Sequence, residues 1–111
     1  MLDTSPLTAV VERFADRLRA APQSRLQQGA AAAALELARE LSARAQALEG
    51  GPVREMPDAG IFVVGDQVAV AGLDLAEALR GVRPGETATA PSDVLDEAVR
   101  LVEQAEIRAM R

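Results

Sequence analysis

Ile61-Phe62-Val63-Val64-Gly65-Asp66-Gln67-Val68-Ala69-Val70-Ala71 is the stretch on which the fold turns. Two runs rich in β-branched residues flank Gly65-Asp66, and glycine takes positive φ without strain, so the pattern has the form of a β-hairpin with a two-residue turn. That turn sets the register: Val64 faces Gln67, Val63 faces Val68, Phe62 faces Ala69 and Ile61 faces Val70. Side chains alternate faces along a strand. Ile61, Val63, Val68 and Val70 then cover the helices, while Phe62, Val64, Gln67 and Ala69 point away from them. Val53 to Met56 reads as a third strand, because a bare hairpin is marginal in water.

Helical patterns lie on both sides of this stretch. Ser5-Pro6 opens a first helix, serine as cap and proline where an amide donor would be wasted. Leu7, Val10, Val11, Phe14 and Leu18 make one helical face, and Pro22 ends the helix near Ala21. Ser24-Arg25-Leu26-Gln27 reads as a capping box for a second, longer helix. Its buried face is Leu26, Ala30, Ala33, Ala34, Leu37, Leu41, Ala45 and Leu48, and Gly50-Gly51-Pro52 stops it. After the hairpin, Leu73-Asp74 starts a short helix with Glu77 at the capping-box position, Leu75, Ala78 and Leu79 on its apolar side and Gly81 at its end. Gly81 to Pro91, with Arg83, Pro84, Gly85, Thr87 and Thr89, is a loop. Ser92 caps a last helix whose stripe is Val94, Leu95, Ala98, Leu101, Val102, Ala105 and Ala109. The expectation is a single α+β domain over residues 1–111, with helices packed on a small antiparallel sheet in the order α-α-β-(β)-β-α-α.

Composition narrows the chemistry. Of 111 residues, 49% are apolar, but 23 are alanine. Alanine favours helix and close helix approach and buries little apolar area. A core this thin invites completion by a second copy, so a homodimer is expected. The chain has no cysteine and no histidine. Disulfides, thiolate metal sites, cysteine nucleophiles and imidazole acid–base chemistry are therefore excluded. All 12 basic residues are arginine, so lysine Schiff-base chemistry is excluded too. No phosphate-loop or dinucleotide-binding glycine motif occurs. A net charge of −5 disfavours general nucleic-acid binding and anionic membrane surfaces. The start of the chain lacks the basic region of a signal peptide, and its first basic residue is Arg13. Nothing approaches the roughly 20 apolar residues of a membrane span. A cytoplasmic location is the simplest reading.

Four groups of residues are candidates for function. Phe62, Val64 and Ala69, on the outer hairpin face, form a candidate interface, since an apolar strand edge is a pairing template. Arg80 and Arg83 are candidate anion contacts, weighed against simple placement of cations at a helix C-terminus. Asp93, Asp96, Glu97, Glu103 and Glu106 lie on the last helix, and the first three, one turn apart, are weighed as magnesium or calcium ligands against a solvated helix face with acids near its N-terminus; the latter reading is adopted. Glu55 and Asp58 read as loop acids. Arg13, Arg17, Arg19 and Arg25 make the start of the chain basic, and Glu86 to Arg108 is acidic, a contrast that suits pairing between subunits. The reading is a non-enzymatic protein-interaction module without catalytic residues, cofactor or metal, associating with itself or with another protein. The alternatives are a carrier or sensor of small anionic ligands, with a pocket between sheet and helices, and a carboxylate-metal enzyme on Asp93, Asp96 and Glu97.

Overall fold

The computed structural model describes residues 2–83 and 85–111; Pro84, read above as part of a loop, lies outside them. The described residues contain helices and connecting segments and no strand. The α+β expectation and its sheet are therefore wrong. The stretch read as a hairpin enters a helix: α1 (Ser5–Ala20), α2 (Gln23–Arg25), α3 (Ala31–Glu49), α4 (Val64–Gly81) and α5 (Pro91–Ala109) follow in chain order.

The correction has a physical reason. Val64, Val68, Ala71, Leu75 and Leu79 recur at spacings of four, three, four and four, and all five are buried. The same residues satisfy a helical period as well as an alternating one, and they continue without a break into the segment read as a separate short helix. Gly65 is not a turn residue. It lies inside α4, where an added Cβ would come within 3.1 Å of the Ala15 carbonyl oxygen and of the Arg19 side chain. Gly72 sits two turns further along the same side, against Val11. Two glycines on one side of α4 let α1 approach closely, and that packing outweighs the β propensity of the valines, which is a preference for half-buried surface more than for a backbone. Val53 to Met56 is in no strand and belongs to the long connection between α3 and α4.

Three other local readings also change, and the first is Ser92, which does not cap α5 but is its second residue, behind Pro91. The capping box at Ser24 is absent: Pro22 precedes α2, with no side-chain cap. Ser5 is the first residue of α1, and Asp3 accepts its backbone N–H at 3.0 Å. Between α2 and α3 the chain makes one wide turn, Leu26–Ala30, closed by the Ala31 N–H donating to the Leu26 carbonyl, with Gly29 at φ 134°. Open space surrounds Gly29, so its requirement is conformational rather than steric. Gly29→Ala is expected to lower stability by about 1 kcal/mol in urea titration, because an L side chain resists this φ.

Contacts between helices give the topology. Arg80 of α4 donates to Thr4 before α1, and Arg19 at the end of α1 pairs with Asp66 at the start of α4, so α1 and α4 run antiparallel. Arg44 of α3 pairs with Glu97 early in α5, and Arg25 reaches the carbonyl oxygen of Arg111, so α3 and α5 are antiparallel as well. The connection from Glu49 to Val64 doubles back along α3: Gln46 holds the Arg54 backbone from both sides of its amide, and Arg39 donates to the Met56 carbonyl at 2.8 Å. That return places α4 parallel to α3. A long crossover of this kind is a known variant of four-helix bundles. α4 and α5 each pack against both α1 and α3.

The core runs between these helices, with Phe14, Leu7, Leu41, Leu75 and Leu79 fully enclosed. Nearly half of the buried apolar residues are alanine, which lets the helices lie close and keeps the shortest dimension to 16 Å. No helix among the described residues is long and apolar enough to cross a membrane.

Candidate functional site

α4 carries apolar side chains on two sides. The inner side meets α1 and α3. On the outer side, Val70 and Leu73 are 54% and 48% exposed, and Phe62 and Val63, in the turn that leads into the helix, are 74% and 37% exposed. Positions 63, 66, 70, 73 and 77 recur at helical spacing and form one stripe reading Val, Asp, Val, Leu, Glu. Asp66 in this stripe is held by Arg19 at 2.7 Å, and Glu77 is exposed. A surface helix of a bundle ordinarily turns polar residues outward, so three apolar positions here stand out.

The residues expected to form an interface are thereby separated. Phe62 is on the outside, Val64 is 2% exposed in the core and Ala69 is half-buried. Helical geometry, at about 100° per residue, sends them in different directions. Sequence reading missed Val70 and Leu73 because the hairpin register put Val70 on the covered face and Leu73 outside the sheet.

Arg80 and Arg83 do not converge. Arg80 donates to Thr4 Oγ1 at 2.8 Å, and Arg83 lies 3.9 Å from Glu86 in the following loop. With no sheet among the described residues, a pocket between sheet and helices has no walls. Asp93, Asp96 and Glu97 share a shallow surface with Arg100, and Glu97 is paired with Arg44 at 3.1 Å. No group of three or more carboxylates among the described residues is placed to hold a metal ion.

One charged residue among the described residues is buried, although the sequence reading places it with the acids of a solvated helix face. Glu106 lies in the apolar stripe of α5 beside Ala105 and Ala109, 6% exposed. Arg13 Nη2 donates to its Oε1 at 2.8 Å and Arg17 Nη1 to its Oε2 at 3.2 Å. Burial pushes this carboxyl up, but the hydrogen bonds and charges of the two arginines outweigh burial and hold it below its ordinary value of 4.5. A carboxylate so held is a structural clamp between α1 and α5. It cannot serve as a proton donor near neutral pH, because it stays ionised there. The signal available in the sequence was a glutamate on an apolar helix face, together with two arginines one turn apart on α1.

Two of the surface hollows among the described residues bear on charge and shape. The larger, about 620 Å³, runs between α3 and the returning connection, with Ala32, Leu35 and Ala43 on its floor and Glu36, Glu40, Glu55 and Asp58 among its walls. Glu55 there is paired with Arg39 at 3.2 Å. The smaller, about 330 Å³, lies where the wide turn meets the end of α5.

The fold defines an all-helical bundle with a parallel crossover. Comparison of the chain with protein-family models, with curated proteins and with solved structures finds no match.

Proposed function

We propose that the chain is a non-enzymatic interaction module that associates with a second copy of itself through the outer face of α4. The observation that supports this is the exposed line Phe62, Val63, Val70 and Leu73 on a helix whose opposite side is already buried. Contiguous apolar surface on such a helix marks a contact site.

A second copy fits this face by symmetry, because the two apolar positions Val70 and Leu73 can each meet the other across a two-fold axis. In a two-fold antiparallel pairing of α4, the axis falls between positions 70 and 73, so Val70 of each copy meets Leu73 of the other. The same register sets Glu77 of one copy opposite Asp66 of the other, whose partner Arg19 is already shared with Asp16, so apolar contact and not charge favours the pairing. A stable interface buries about 800 Å² on each partner. Four side chains supply only part of that area, so association is expected to be weak and concentration-dependent.

Sedimentation equilibrium over a micromolar to sub-millimolar range tests the proposal. The unmodified chain is expected to move from monomer toward dimer. Leu73→Glu is expected to hold it as a monomer with unchanged helical circular dichroism, since the side chain is half in water already. A wild-type chain that stays monomeric throughout, or a Leu73→Glu variant that dimerises equally well, refutes it.

A further inference from the structure

The smaller hollow differs from every other charged region of the molecule. Six of the 12 arginines have a carboxylate partner: Arg13, Arg17, Arg19, Arg39, Arg44 and Arg83. Three of the other six, Arg25, Arg108 and Arg111, line this one hollow, with Gln28, Gly29, Ala30, Ala33 and Ala109, and no acidic side chain lines it. In a chain with 17 Asp and Glu residues and net charge −5, three arginines lining one hollow with no Asp or Glu side chain is a local excess of positive charge, even against the backbone carboxylate of Arg111. Arg25 is oriented by donating to the backbone oxygen of Arg111 at 2.6 Å, part of the carboxylate of this last residue, which offsets one of the three positive charges and leaves the other Arg25 donors free to turn toward the hollow. Gly29, with no side chain and open space at its Cβ position, leaves the backbone beside the three arginines uncovered.

We infer that this hollow, formed by the wide turn before α3 and the end of α5, binds the phosphate group of a small phosphorylated molecule. Guanidinium forks match the paired oxygens of a phosphate, and a doubly charged group answers the two positive charges left after the Arg111 carboxylate better than a single carboxylate does. Gln28 adds an amide donor at the rim. The volume of about 330 Å³ exceeds a bare phosphate, and the alanine floor suits the uncharged part of an ester. A long polyanion is disfavoured, because the acids elsewhere on the chain repel its extension beyond this site. No residue of α4 takes part, so this site is independent of the proposed dimer face.

Titration of the ¹⁵N-labelled full chain at low ionic strength with inorganic phosphate and with ribose 5-phosphate, followed by amide shifts, tests the inference. Both probes are expected to move Gly29, Ala30 and Arg108 saturably, the ester no more weakly than the ion. Arg108→Ala, an exposed change that leaves the fold intact, is expected to weaken binding by about tenfold, the effect of one charge-assisted hydrogen bond. Arg54→Ala, an arginine on the far connection, is expected to leave binding unchanged. The inference is overturned if neither probe saturates, if the ester is excluded while the ion binds, if Arg108→Ala binds as well as wild type, or if Arg54→Ala weakens binding to the same extent.

Discussion

Gly72→Val is expected to destabilise the protein by about 3 kcal/mol, the upper end of what over-packing a tight core costs. A Cβ at Gly72 would stand 2.5 and 2.6 Å from the two γ-carbons of Val11 and 3.0 Å from its Cβ. Val11 is 1% exposed and β-branched, so it has no free rotamer to retreat into. Relief requires α1 and α4 to separate, and that loosens contacts along their whole antiparallel length. Helix propensity works the other way, since valine is a slightly better helix residue than glycine; a loss in stability therefore reports the clash. Gly81→Ala serves as the matched control. Its Cβ meets nothing within 4 Å, and the change is expected to be neutral or to stabilise by a few tenths of a kcal/mol. Urea unfolding of the two variants should move in opposite directions or at least differ by most of the expected loss. Equal stabilities would mean that α1 and α4 are not packed face to face through Gly72. Adding Val11→Ala to Gly72→Val should recover part of the loss, because the two side chains then fit the space one of them occupies now.

Glu106→Gln is expected to cost about 2 kcal/mol at neutral pH, the range for losing charge-assisted hydrogen bonds in a largely buried setting. The amide keeps the shape of the carboxylate but turns a pair of donors toward Arg13 and Arg17, which are themselves donors only. Both arginines are about half exposed and can turn to water, which keeps the loss below that of stranding a buried charge. The pH dependence gives a second readout. The folded-state value of Glu106 lies below its ordinary 4.5, so the folded state favours the ionised form. Its contribution is fully present above about that ordinary value and is lost as pH falls through the lower folded value. The wild type should therefore lose stability more steeply than Glu106→Gln on acidification below pH ~4.5, and the gap between them should narrow. Joint replacement of Arg13 and Arg17 by alanine should reverse the sign for this group, since a buried carboxyl without cations prefers its proton. A constant gap between wild type and Glu106→Gln across acid pH would show that Glu106 is not ionised in the clamp.

Helix ends were readable from local chemistry. Pro6, Pro22, Pro91 and the pair Gly50-Gly51 mark boundaries wherever the chain lacks a donor or needs positive φ, and Gly50 takes φ 76° at the end of α3. The buried stripe of α3 was also close to its reading: Leu37, Leu41 and Ala45 are buried as the spacing implies, with Ala33 and Leu48 only half so. Ile61 to Ala71 was not readable in the same way. A run in which nearly every position is apolar fits both a two-residue and a 3.6-residue period, and Gly65-Asp66 resembles a turn as long as no neighbour is in view. The functional residues shared this ambiguity. Phe62 was identified as outward-facing under either period, whereas Val64 and Val70 exchange sides when the period changes. The arginine hollow joins residues 25, 108 and 111, and no local pattern could bring those together.

What the amino-acid sequence determined by itself was a set of short-range matters: where helices stop at Pro22, Gly50 and Gly81, which reactive groups are missing, and that alanine leaves a thin core. Each depends on a residue and its immediate neighbours. Only the tertiary structure decided that the valine-rich stretch is helical, that Gly72 is a contact and that Glu106 is a clamp. The reason is that each of these rests on a partner distant in the chain, Val11 for Gly72 and Arg13 and Arg17 for Glu106, and the energy of close packing between α1 and its neighbours exceeds the weak local preference it overrules.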